Sequence, residues 1–173
     1  VDHDNVGACR ELVTVLFAKG IQNIAYLGSD MDQMVNRCRY QGYEEAYRKG
    51  KRKLNQDLVY TDLSSKAMVE KAVEELRKSG VECILCQDDY ICDEVVRKLA
   101  RMGVRIPDQM KVASCHYSRI LENYPITITS LKFNITELGR RSCQVLLDRI
   151  HGKTVPDKTL LDYEIILKES TKG

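Results

Sequence analysis

The sequence predicts a doubly wound α/β fold, a parallel sheet with helices on both faces. Segments with apolar residues at helical spacing alternate along the chain with short apolar runs. Those runs are continuous rather than alternating, the pattern of strands covered on both sides. A glycine closes each helical segment, as expected where a helix must stop.

The elements follow in order. Residues 5–19 place Val6, Cys9, Leu12, Val13, Leu16 and Phe17 on one helical face and end at Gly20. Ile24–Gly28 reads as a buried strand. Residues 33–49 carry Val35, Cys38, Gly42, Tyr43 and Ala46 at helical spacing and end at Gly50, and Leu58–Tyr60 reads as a short strand. Residues 65–79 form a third helix through Met68, Ala72 and Leu76, followed by the strand Val81–Cys86. Residues 90–102 form a fourth through Ile91, Val95, Leu99 and Met102, followed by the strand Lys111–Cys115. The pattern then changes. Ile126–Lys132 alternates as a strand, and Asn134 opens a helix as its N-cap, with Glu137 completing a capping box. Leu138, Ser142, Val145, Leu146 and Ile150 line one face of that helix, which Gly152 ends; Thr154–Lys158 is a polar linker and Leu160–Leu167 a last strand.

Composition narrows the function classes. The 173 residues, 43% hydrophobic, suit one globular domain with a sizeable core. A net charge of +2 predicts no general attraction to nucleic acid, and the basic cluster Arg48–Lys53 reads as a solvated helix end. No apolar run approaches the ~20 residues of a membrane helix. The chain opens on Val1 at the approach to a helix, which is expected of a piece of a longer protein. The seven cysteines are irregularly spaced, and Cys9, Cys38, Cys83, Cys92 and Cys143 fall at expected core positions, which fits a reducing, cytoplasmic setting. Cys83 and Cys86 have half the spacing of a zinc site, but within a strand positions i and i+3 face opposite ways, so no metal site is expected.

Ligands of open parallel sheets sit outside the carboxyl ends of the strands. Three polar loops occupy that rim: Ser29–Asn36, Gln87 to Asp89, and Ser114–Ser118. They are expected to converge on one small polar ligand. Asp89, next to the helix that starts near Tyr90, is the expected N-cap, which leaves Asp88 free to point into the cleft. Arg39, in the second turn of its helix, has the surface as its default location, as has His116 in its loop. Glycine-rich phosphate loops, a nucleophile elbow and an H-E-x-x-H pair are all missing from the sequence, and the three histidines lie far apart. An enzyme, and with it a catalytic residue or cofactor, is therefore the least expected class.

At this point the residues resemble a known family. Val1-Asp2-His3-Asp4-Asn5-Val6-Gly7-Ala8 with Leu12-Val13 and Gly20, Ile24-Ala25-Tyr26-Leu27-Gly28, Arg39-Tyr40-Gln41-Gly42-Tyr43 and Leu85-Cys86-Gln87-Asp88-Asp89 resemble, in order, segments of the lactose/galactose-repressor (LacI/GalR) family of bacterial transcription repressors. So do Gly103 to Asp108, Thr129 to Gly139, Leu146 to Ile150 and the closing Glu169-Ser170. Each match alone is weak; the ordered set is specific.

The resemblance implies a periplasmic-binding-protein-like effector sensor without its DNA-binding headpiece and most of its amino-terminal lobe. Residues 1–131 and 159–173 map to the carboxyl-terminal lobe, and 132–158 to a crossover and helix that in the family belong to the other lobe. Burying Leu138, Val145, Leu146 and Ile150 of that helix is worth ~1.5–3 kcal/mol each, so the helix is expected to dock on its own chain or on a partner. Arg39 maps to the effector-gripping arginine, Asp88 to an effector-contacting asparagine, and His116 to the first aspartate of a Gly-Phe-Asp-Asp run, with Gln87 beside them. A rigid arginine fork suits hydroxyls or a carboxylate. Asp88 for Asn, Ser114 to Tyr117 for Gly-Phe-Asp-Asp, and Phe133-Asn134 for Gln-Pro depart from the family pattern and point to an altered ligand. The implied partners are a sugar or sugar-like effector, operator DNA through the absent headpiece, and a second copy in a homodimer formed through Tyr90, Asp93, Arg97 and Tyr124. No membrane partner is implied. A secreted sugar-binding protein of a transporter, which shares the fold, is the alternative.

Overall fold

The computed structural model describes residues 1–172. A two-residue strand, β1 (Asp2–His3), leads into α1 (Asn5–Ala18) and β2 (Ile24–Leu27). There follow α2 (Met34–Lys49), β3 (Val59–Tyr60), α3 (Lys66–Leu76), β4 (Cys83–Cys86), α4 (Asp89–Arg101) and β5 (Lys111–Ser114). The last elements are β6 (Thr129–Phe133), α5 (Ile135–Ile150), β7 (Leu160–Leu161) and β8 (Tyr163–Ile166).

Six strands form one sheet in the order β3-β2-β4-β5-β6-β8, parallel throughout except for β8, which runs antiparallel to β6. The predicted α/β class and the first four helices stand, each within a few residues of the expected bounds. The expected last strand divides. Leu160 and Leu161 pair with β1 in a separate two-stranded sheet, and the chain then crosses to β6 as β8. The segment from Leu58 also divides, into a 3₁₀ turn over Gln56–Leu58 and the two residues of β3.

Alternation of side chains through the sheet builds two cores. Ile24, Tyr26, Cys83 and Leu85 face α1 and α2 with Leu12, Leu16, Tyr43 and Tyr47. Ala25, Leu27, Ile84 and Cys86 face α3 and α4 with Val73, Leu76, Val95 and Leu99. Cys83 and Cys86 thus lie in different cores, which is the geometry expected of a strand at i and i+3. Helices α1 and α2 pack closely because Gly42 has no Cβ: one placed there would lie 2.4 Å from the Val6 carbonyl oxygen. Two cysteines depart from their expected core positions, Cys38 being half-buried and Cys143 exposed.

Helix α5 is the main departure from expectation. Asn134 is the expected N-cap, its side chain accepting from the Glu137 N–H at 2.9 Å, but the capping box is not completed: the Glu137 carboxylate turns to Arg140, accepting from its Nε at 2.7 Å and its Nη2 at 2.6 Å. The helix has no buried residue; Leu146 is 60% and Ile150 68% exposed, so the apolar stripe does not dock on its own chain. The physical reason is geometric. Helix α5 follows β6, which β8 already flanks, the chain returns through β7, and α1 to α4 already cover the two faces of the sheet.

Candidate functional site at the carboxyl edge of the sheet

The chain runs from β2 outward to β3 on one side and then back past β2 to β4 on the other. The reversal falls at the carboxyl ends of β2 and β4, the usual ligand position of such sheets. Arg39, Gln87, Asp88 and His116 all lie at that end, on α2, after β4 and after β5.

Arg39 is 8% exposed, contrary to its default surface location. Its Nη1 donates to the Gln87 backbone oxygen at 2.9 Å and its Nε to the Asn5 side-chain oxygen at 3.3 Å. Asn5 in turn donates to the His3 carbonyl. Arg39 therefore ties α2, α1 and the end of β4 together, and the rest of its fork is available for a guest. The sequence reading gave Asn5 no role of its own; the adjacent Asp4, which caps α1 by accepting from Gly7 N–H at 2.8 Å, was the visible signal that Asn5 begins a helix.

Gln87 is fully buried, and its side chain serves the scaffold. The Oε1 atom accepts from the Ser29 N–H at 3.2 Å and the Tyr26 hydroxyl at 3.3 Å, and Nε2 donates to the Ser29 carbonyl. Gln87 thus lies beneath the rim and fixes the first loop to the second instead of reaching into the cleft. The first loop is further held by Asn36, whose amide donates to the carbonyls of Ser29 and Asp30 at 3.0 Å each.

The two adjacent aspartates exchange their expected roles. Asp88 is the N-cap of α4 and accepts from the Ile91 N–H at 2.8 Å. Asp89 is the first helical residue, is buried, and sits 3.0 Å from the His116 Nδ1. The reason is that a cap reaches the N–H three residues on; Asp88 finds Ile91 there, so the helix starts one residue before Tyr90. Burial opposes the charge on Asp89, but hydrogen bonds from Ser118 and His116 outweigh it and hold the carboxyl below its ordinary value. Neither partner of Asp89 was visible in the sequence, because both are long-range.

His116 is held by its backbone. Its N–H donates to the Ser114 hydroxyl at 3.2 Å, and that hydroxyl donates to the His116 carbonyl at 2.7 Å. The side chain is 33% exposed. Below the rim, the thiols of Cys9 and Cys115 lie 3.5 Å apart, and burial followed by this mutual contact pushes the Cys9 thiol well up.

Asp93, Arg97 and Tyr124 form a cluster of their own. Asp93 bonds Arg97 at 2.8 Å and also accepts from the Tyr124 hydroxyl, with the Arg97 guanidinium 6.0 Å from the Tyr124 ring centre. Tyr90, by contrast, is 71% exposed.

Comparison with known proteins places this geometry. The profile of the periplasmic binding protein-like domain matches residues 13–171. The HTH-type transcriptional regulator CelR of Thermobifida fusca is 28% identical over 173 residues, which cover 98% of this chain and 51% of that protein. The HTH-type transcriptional regulator GntR of Escherichia coli (strain K12) is 27% identical over 167 residues, 92% of this chain and 48% of that protein. The chain thus spans about half the length of the curated relatives it matches. Among solved structures, a CelR–cellobiose complex superposes with a TM-score of 0.86 at 27% identity, covering 98% of this chain and 53% of that one. The regulator CcpA of Lactococcus lactis shares the fold, with a TM-score of 0.88 at 24% identity over 99% of this chain and 64% of that one. The chain belongs to the periplasmic binding protein-like domain family, in the form that LacI/GalR-type transcription regulators carry.

Proposed function

We propose that this chain is the ligand-sensing part of a bacterial LacI/GalR-type repressor, a non-enzymatic, cytoplasmic sensor of a small sugar-like effector. One observation carries the reading. Arg39, nearly buried, is braced by Asn5 and by the Gln87 carbonyl at the switch point of the sheet, with Asp88 and His116 on the same edge. A braced guanidinium with free donors binds a polar guest without first paying for its own ordering. A relative's solved complex with cellobiose supports a neutral sugar as the guest class.

Residues 1–131 and 159–173 form one lobe in this reading, and 132–158 belong to a second. The support is α5, whose exposed Leu146, Leu147 and Ile150 are unpacked against this lobe. The effector would lie between the lobes and bias two arrangements of them, and so the spacing of a DNA-binding headpiece. A homodimer would use the face of α4 and Tyr124, with the exposed Tyr90 as an anchor.

A thermal-shift screen of the complete protein against neutral sugars, sugar phosphates and nucleobases tests the reading. A hit that Arg39→Ala abolishes is expected. Full affinity in the variant would remove the site assignment.

A further inference from the structure

The Asp89–His116 pair goes beyond this reading, on which the inference rests. We propose that Asp89 is the positioning residue of the cleft: it takes the Nδ1 proton of His116 and turns Nε2 toward the guest, so that the site prefers a ligand presenting a hydroxyl or ammonium donor over one presenting a phosphate or carboxylate.

The geometry supplies each step. An ionised carboxylate only accepts, so across the 3.0 Å contact it is Nδ1 that carries the proton. A neutral imidazole then has its lone pair on Nε2. The ring is partly exposed; the Ser114 hydroxyl holds the His116 backbone on both sides, and the Nδ1 contact with Asp89 holds the ring itself. A phosphate or carboxylate oxygen set against that lone pair would face two acceptors without a proton between them. If the imidazole is protonated, the charge of Asp89 already balances it, and Asp88 stands one residue away. The Arg39 cation donates to the neutral Gln87 carbonyl and Asn5 amide and keeps its charge, so the selectivity is set on the His116 side of the edge. The edge therefore offers an anion no uncompensated positive group on the His116 side.

Two measurements on the complete protein test this. The first needs no ligand: ¹⁵N chemical shifts of the His116 ring, assigned by their loss in His116→Gln. The expected result in the neutral ring is Nδ1 protonated and Nε2 bare. Asp89→Ala should lose that preference, whereas Asp89→Asn, which keeps an acceptor, should retain it. An Nε2–H tautomer in the unmodified protein overturns the proposal. The second is calorimetric binding of cellobiose, glucosamine, glucose 6-phosphate and glucuronate. Cellobiose or glucosamine should bind, with affinity lowered about tenfold in Asp89→Ala, the loss of about one hydrogen bond. A phosphate or carboxylate sugar that binds more tightly than both would overturn the selectivity while leaving the sensor reading intact. If none of the four binds, the selectivity is overturned, and the wider thermal-shift screen alone decides the sensor reading.

Discussion

The Arg39 guanidinium donates to the backbone carbonyl of Gln87 across the gap between α2 and the end of β4, and this bond ties the helix that follows β2 to the end of β4, the two strands that flank the switch point. Replacing Arg39 therefore has two effects. Arg39→Ala leaves the Gln87 carbonyl and the Asn5 amide oxygen without their donor in a buried setting, which costs ~1–3 kcal/mol of stability. Arg39→Lys keeps the charge but cannot span both acceptors from one planar fork. It should restore less than half of that stability. Urea denaturation with unchanged slope reads the difference; equal stability of all three proteins would show that the brace is energetically idle.

The contact between α1 and α2 gives a second expectation. At Gly42 a methyl group would meet the Val6 carbonyl oxygen at 2.4 Å and the Cys9 Cβ at 2.9 Å, both rigid parts of α1. Gly42→Ala gains helix propensity, worth roughly 1 kcal/mol, but forces the helices apart at the base of the cleft. Overpacking of this kind costs about 1–3 kcal/mol. Net destabilisation is expected in thermal unfolding, together with weaker binding, because Arg39 is on α2 and Asn5 on α1.

Acid should weaken the rim through Asp89. Its carboxyl titrates below the ordinary value of 3.8, since the hydrogen bonds from Ser118 and His116 overcome burial. A depressed folded value means that the stabilisation is fully present above the ordinary carboxylate range and is lost as pH falls through the folded value. The loss therefore falls below about pH 4. Asp89→Asn cannot ionise, so its stability should fall less steeply over that acid range than that of the parent. Parallel acid slopes in the two proteins would mean that Asp89 carries no such linkage.

The fold was readable because the continuous apolar runs and glycine stops of the first half are local signals, and each core layer uses them directly. The site was readable only in part. Arg39, Asp88 and His116 sit at the same edge, as the strand order requires, but the order itself places Asp89 against His116, 27 positions further along the chain. The choice of cap was a local ambiguity: two aspartates stood side by side, and only the reach to Ile91 separates them. The brace of Asn5 on Arg39 joins α1 to α2 and has no sequence periodicity. The exposed stripe on α5 was visible as a stripe, but periodicity reports which face is apolar and not what covers it.

That stripe yields the last expectation. Leu146 and Ile150 are on the outside of the lobe described here, so Leu146→Ser with Ile150→Ser removes no packing within it. Surface substitutions of this kind usually change stability by no more than about 0.5 kcal/mol, and the chain of 173 residues should tolerate the pair within that margin. In a longer chain that carries the proposed second lobe the same two residues would be core. Fully burying each is worth ~1.5–3 kcal/mol, and their loss should lower stability by several kcal/mol. The comparison of the two denaturation midpoints reads the position of α5 directly. A small effect in both chains would mean that the stripe is covered by something other than a second lobe, and the assignment of residues 132–158 to that lobe would fall.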